Sequence, residues 1–195
     1  MSIQDKLDVN RELNNILKKT DLFNSVVQDI FVISDNGYCF TTVGQDGLAA
    51  NYDYWSKEWY QKAKDTTGNV YVHILGLHDQ DFYSKKRATT AKNKTFSISF
   101  ALQNSKGKVS GALIYNFDVT QLAEVLGASN YEENGKVAIL NEEGVIMSRS
   151  DNSDIGSMLK VSERDREIMK REKTGSFWTK VDGKEHFVSF QTTSM

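Results

Sequence analysis

The sequence has no proline among its 195 residues, a single cysteine and only three histidines. Each scarcity excludes something. Without proline, turns fall to Gly, Asn and Asp, and Asp35-Asn36-Gly37, Lys106-Gly107, Glu143-Gly144 and Asp182-Gly183 are where the chain offers them. A lone Cys39 rules out an internal disulfide framework and a cysteine-based zinc site. Charge of either sign is not in excess: 24 Lys and Arg face 26 Asp and Glu, for a net charge of −2. That balance gives no electrostatic footprint for nucleic acid, and Lys85-Lys86-Arg87 reads as a solvated loop among Ser, Thr and Asn. No stretch reaches the apolar length of a membrane span, and MSIQDKLD is not a signal peptide. The chain is therefore expected to be soluble, and its strand-like ending FVSFQTTSM fits a piece of a membrane-anchored protein. A nucleophile elbow, a P-loop, G-x-G-x-x-G and H-E-x-x-H are all missing. Neither catalysis nor a cofactor is expected. His73 and His78, with Asp79 and Asp81, lack zinc spacing. On a regular strand their odd separation puts the two histidines on opposite faces, so no metal site is expected.

What is present reads as an ordinary folded composition, 39% hydrophobic and 26% charged. Residues 2–19 predict a helix. Ser2 serves as N-cap, and Ile3, Leu7, Leu13, Ile16 and Leu17 form a narrow apolar stripe. A stripe that narrow suits a helix beside a body or a partner helix, which points to a homodimer. From Val26 the period becomes that of strands. VVQDIFVISDNGYCFTT predicts a hairpin about Asp35-Asn36-Gly37. The segment from Tyr54 to Lys64 predicts a helix, VYVHILGL a strand, and residues 78–94 a polar loop. TFSISFALQNSKGKVSGALIYNFD predicts a long hairpin, followed by a short helix over Thr120–Leu126 that Gly127 ends. A second cycle then opens. KVAILNEEGVIMSRS is a hairpin, Ser162 caps a helix running to Lys173, and GSFWTKVDGKEHFVSFQ is a closing hairpin.

The two cycles superpose. VISDNGYCFTT falls on ILNEEGVIMSR at a constant offset of 107, with Gly37 on Gly144 and Thr41 on Ser148. Both run hairpin, helix, hairpin, an α+β arrangement with helices on one face of an antiparallel sheet. The first cycle alone carries an insert holding part of the aromatic helix, VYVHILGL and the polar loop. Such insertions are more often functional than decorative. The expected division is an N-terminal helix over 1–25, a first module over 26–118, and a linker helix with a second module over 119–195.

Within the insert, Tyr52, Tyr54, Trp55, Trp59 and Tyr60 crowd nine residues, interleaved with Asp53, Lys57 and Glu58. Trp55 and Trp59 lie one helical turn apart and suit a packed face. Tyr60 and Lys57 lie off that face and suit the border of a cavity for a small polar ligand. His78, Asp79, Asp81 and Tyr83 stand on the neighbouring loop as a polar rim. Ser97, Ser99 and Ala101 alternate with Ile98 and Phe100, so Ser99 belongs to a small polar strand face.

The WY-x-x-A step at Trp59, Tyr60 and Ala63, the SISFALQNSKGKVSGALIYNFDVTQL hairpin and the VAILNEEGVIMSRSDNSDIGSML opening resemble extracytoplasmic double Cache sensor domains. The likeness covers essentially the whole chain and is nearest in style to Gram-positive histidine kinase ectodomains. It implies two tandem PAS-like modules behind a long N-terminal helix, on the outer side of a cell membrane. The output domain would be a kinase, a chemoreceptor or a diguanylate cyclase. An amino-acid-binding branch of that family carries Tyr-x4-Arg-x-Trp-Tyr and a later Asp. Here Tyr52, Lys57, Trp59 and Tyr60 match it, with Lys57 in place of the Arg. The resemblance implies that Lys57 and the rings hold a ligand carboxylate, and that Asp79 or Asp81 holds its ammonium. A second reading makes the body a docking module for a solute-binding lipoprotein, with Tyr54 and Trp55 as exposed anchors.

Overall fold

The fold is taken from a computed structural model, which describes residues 11, 15, 26–43, 48–79, 81–84, 94–128, 135–181 and 183–192. Arg11 and Asn15 are helical. Apart from them the expected N-terminal helix, and any dimer contact through it, lies outside the described residues. The same holds for most of the expected loop beyond Ser84.

The first half is one five-stranded antiparallel sheet in the order β2-β1-β5-β4-β3. Its strands are β1 Val27–Ser34, β2 Cys39–Thr41, β3 Val72–Asp79, β4 Lys94–Gln103 and β5 Val109–Phe117. The β1–β2 turn closes as its sequence requires. Gly37 takes φ +90° and its N–H donates to the Ser34 carbonyl, a conformation open to glycine at no steric cost. Register across the sheet aligns Phe31, Ile114, Ser99 and His73 on one face. That face is covered by α1, Glu58–Lys64, and by the segments before it and around Phe82. Burial of Ile33, Ile114 and Phe82 contributes about 1.5–3 kcal/mol apiece.

The opposite face carries Phe96, Ile98, Tyr115, Phe117 and Leu77. It packs against Val119 and Leu122 of α2, Val119–Ala128, and against Met147 and Ile155 of the second half. Gly127 lies inside α2 rather than ending it.

The second half holds β6 Ala138–Leu140 with β7 Ile146–Arg149, α3 Glu163–Arg171, and β8 Thr174–Val181 with β9 Lys184–Gln191. Ser162 caps α3, its Oγ accepting from the Asp165 N–H. The helix stops at Arg171, two residues short of the expected end. The two hairpins form separate two-stranded ladders among the described residues, where a single sheet was expected. β6 is only three residues long and β9 is mostly exposed, so neither offers the partner that β1 and β5 find in each other.

β3 departs from regularity at one point that matters below. Its register with β4 slips between Ile74 and Gly76, leaving Leu75 as an extra residue, and Gly76 takes φ +79°. This bulge re-phases the strand. His73 pairs with Ser99 and His78 with Thr95, so both histidines share the α1 face. The expectation of opposite faces assumed an unbroken period of two.

Candidate functional site

The aromatic segment is not one helix. Asp53 Oδ1 accepts from the N–H groups of Trp55 and Ser56, at 3.1 and 3.2 Å. A side chain that bonds its own backbone in this way competes with helix formation. The chain therefore turns through 53–57, and α1 starts at Glu58 with Lys57 at its N-cap position. Trp55 and Trp59 do not share a helical stripe. Trp55 is half-buried and donates its Nε1–H to the Ser34 carbonyl at 2.9 Å. Tyr54 is buried. The outward pair that a docking surface would use is thus folded inward.

At the rim, Asp81 accepts from the Tyr52 hydroxyl at 2.7 Å and from Lys57 Nζ at 3.2 Å. Lys57 Nζ also stands 4.6 Å from the Tyr52 ring centre. Burial, and then the Asp81 carboxylate, push the Tyr52 phenol well above its ordinary value, so it remains a donor at neutral pH. Of the two candidate carboxylates, Asp81 joins Tyr52 and Lys57. Asp79 is exposed at the end of β3, opposite Lys94.

Beneath the rim is a ring cluster. Trp59 stacks on His78 with centres 5.5 Å apart and planes 17° from parallel. Phe82 lies edge-on to Phe31 at 5.4 Å and near Trp59 at 6.1 Å. The floor is polar. His78 Nε2 lies 2.7 Å from Ser97 Oγ, which donates to Asn116 Oδ1 at 2.6 Å. With the Ser97 proton committed to Asn116, its oxygen is left to accept, and His78 presents Nε2–H to it. Ser99 is fully buried, and its hydroxyl has no hydrogen-bond partner among the described residues. Such a group carries a desolvation cost of about 1–3 kcal/mol.

Of the residues singled out in the sequence, Tyr52, Lys57, Trp59, His78 and Asp81 therefore come together. Tyr60 is fully buried but turned away. Its hydroxyl donates to the Ile33 carbonyl and, at 3.0 Å, to Asp35 Oδ1, which also pairs with Lys64 at 2.6 Å. Tyr83 is buried with its hydroxyl on the Asp29 carboxylate. The space itself is bounded by Phe31, Tyr54, Trp59, His78, Phe82, Ile114 and Asn116, and it has no room for even one water molecule. An open, ring-walled hollow was expected here; side chains fill it. The sequence reading missed Phe82 and Asn116. Asn116 left a signal, a lone amide between Tyr115 and Phe117 in an otherwise apolar run. Phe82 left a weaker one, a ring directly after Asp81 in a polar loop.

Among the described residues no cluster of three or more His, Cys, Asp or Glu is close enough to hold a metal. No described helix is long and apolar enough to cross a membrane.

The family described as a Cache domain matches residues 2–195. No curated protein matches the sequence. Solved structures share the fold. The ligand-binding domain of the amino acid chemoreceptor PctB of Pseudomonas aeruginosa PAO1, in complex with L-Gln, aligns with TM-score 0.62 at 15% identity. That alignment covers 92% of this chain and 67% of that one. The extracellular domain of rpHK1S-Z16, described as a histidine kinase, aligns with TM-score 0.66 at 12% identity, over 93% of this chain and 70% of that one. The periplasmic sensory domain of the Campylobacter jejuni chemoreceptor Tlp1 aligns with TM-score 0.65 at 11% identity, over 100% and 75%.

Proposed function

Since the chain belongs to the Cache domain family, we propose that it is the extracytoplasmic sensing domain of a bacterial transmembrane receptor, a histidine kinase foremost and a chemoreceptor next. Residues 26–118 form its membrane-distal, ligand-binding module. Residues 119–195 couple that module to the membrane, and the N-terminal helix pairs two copies. The ligand is a small polar solute of the amino acid or carboxylate class.

One observation carries this reading. A cation and a phenol donor, Lys57 and Tyr52, converge on a single carboxylate position above a stacked Trp59–His78 pair. Charge-assisted bonds of that kind fix an anion's orientation, and ring walls supply contact area at little entropic cost. The Ser97–Asn116 pair adds polar groups on the floor. The site is closed without a guest, so binding selects a second packing of the same rings. A ligand that prefers that packing biases the receptor by its difference in affinity between the two.

Calorimetry and thermal unfolding with a panel of amino acids and small carboxylates test the proposal. A true ligand at one hundred times its Kd adds about 2.7 kcal/mol of stability. Lys57→Ala and Trp59→Ala should abolish the gain. If no panel member stabilises the wild type more than these variants, the function is wrong.

A further inference from the structure

The closed state raises the question of what fills a site built for a carboxylate. Two successive side chains do. Asp81 lies where Tyr52 and Lys57 converge, its carboxylate 2.7 Å from one and 3.2 Å from the other. Phe82 sends its ring into the cluster below, where it is 2% exposed and lies 5.8 Å from His78 and 6.1 Å from Trp59. Together they present an anionic head and an apolar ring at adjacent positions.

The backbone that delivers them lies outside the five-stranded sheet. Among the described residues, the backbone at Phe82 pairs through the isolated bridge of Leu48 with Tyr83, to which the Ala49 N–H donating to the Phe82 carbonyl at 2.9 Å belongs. A core phenylalanine of this sheet, such as Phe31 or Phe96, is fixed instead by ladder pairing on both sides. Phe82 also has polar-tipped walls. Trp59, His78 and Asn116 border the same space, so the ring sits among side chains that carry polar atoms.

We propose that Asp81 and Phe82 occupy the site as a built-in stand-in for the ligand, a small carboxylate bearing an apolar group about the size of a benzyl ring, and that the ligand binds by displacing both. This rests on the sensing function proposed above and specifies its regulation. The ligand carboxylate takes over Lys57 and Tyr52 from Asp81. Losing that tether frees the adjacent Phe82 to leave the cluster, and the ligand's apolar group replaces it. Apparent affinity is then reduced by the fraction of molecules in which the stand-in is out. Weakening the stand-in tightens binding.

The test uses phenylacetate as probe, with acetate and benzylamine as controls lacking the ring or the carboxylate. Wild type, Phe82→Ala and Asp81→Asn are titrated by calorimetry, with thermal unfolding as the check of foldedness. Each variant is expected to bind phenylacetate about tenfold tighter than wild type or better, and more tightly than it binds either control, and adding Lys57→Ala should cancel the gain. Phe82→Ala that folds yet gains nothing overturns the proposal. If Phe82→Ala fails to fold, the half-exposed Asp81→Asn decides alone, and no gain there overturns it. The two proposals separate cleanly. A solute that stabilises wild type while neither variant gains removes the stand-in and keeps sensing. Tighter variants beside a wild type that answers no solute keep the stand-in and remove sensing. Absence of binding by every protein removes both.

Discussion

Gly111 of β5 sits opposite Ser34 of β1 and Leu102 of β4, and the backbones there run unusually close. A Cβ at Gly111 would stand 2.3 Å from the Ile33 carbonyl oxygen and 3.0 Å from Ser34 Cα. Ordinary contact begins at 3.4 Å, so the approach to the carbonyl oxygen is about 1 Å too short. The obstacle is backbone on both counts, so no side chain can swing aside. Gly111→Ala must push β1 from β5 and stretch local ladder bonds such as Asp35 N–H to the Ser110 carbonyl, now 2.9 Å. Overpacking of this kind costs about 1–3 kcal/mol, and each lost bond about 0.5–1.5 kcal/mol. Together these come to about 2–4 kcal/mol, against a typical total of about 5–15 kcal/mol. For a chain of this length the loss lowers Tm by about 5–15 °C.

Gly127→Ala is the matched control. It lies inside α2, and its nearest new neighbour would be the Ser150 carbonyl oxygen at an ordinary 3.6 Å. Alanine in place of a helical glycine stabilises by about 0.5–1 kcal/mol, so this variant should melt about 1–4 °C higher. The Ile33 and Ser34 carbonyls also receive the Tyr60 hydroxyl and the Trp55 indole. Gly111→Ala should therefore blunt any solute response as well as lower Tm. Differential scanning calorimetry on both variants checks the reasoning. A Gly111→Ala transition within 2 °C or so of wild type, or two shifts of the same sign, would refute it.

Two further outcomes are expected. Asp165 receives hydrogen bonds from the Ser162 and Thr179 hydroxyls, which hold its carboxyl below the ordinary 3.8. A lowered value in the folded state means that its contribution is complete above the unfolded value and is lost as pH falls through the folded one. Asp165→Asn should flatten the stability–pH curve below about pH 4, and Ser162→Ala should cost about 1 kcal/mol; a denaturation series in acid with unchanged slope for Asp165→Asn contradicts this. Burial, opposed by the Tyr54 hydroxyl, pushes the Cys39 thiol up to about 12. Its thiolate is then roughly a thousandfold scarcer than that of an unshifted thiol, so iodoacetamide at pH 8 should label Cys39 only after denaturation, and rapid labelling of the native protein would show the thiol is not so shielded.

Much of the architecture was legible because it rests on local chemistry. Asp-Asn-Gly closed the β1–β2 hairpin, alternating residues made β4 and β5, and Ser162 with Asp165 began α3. The misread places are those where a side chain or one extra residue overrides the period. Asp53 bonds two backbone N–H groups and delays α1 from Tyr54 to Glu58. Leu75 bulges from β3 and brings His78 round to Trp59. At the site, the family resemblance singled out Tyr52, Lys57, Trp59 and a choice of two aspartates; the fold brings the first three together with Asp81 because they share a short stretch and a nearby loop. It could not show that Tyr60 turns toward Asp35, nor that Phe82 fills the centre. Both depend on which surface meets which across tens of residues, and periodicity carries no record of that.

The bulge has a second consequence. At Gly76 a side chain would press on Met147 Cε at 3.2 Å, while His78, two residues along, belongs to the ring cluster. On β4, Ser97 faces that cluster and its neighbours Phe96 and Ile98 face the second half. A single sheet thickness therefore separates the ring cluster from the second half. If the sensing function proposed above holds, a change in ring packing needs no relay: the sheet it bears on already touches the second half on its other face.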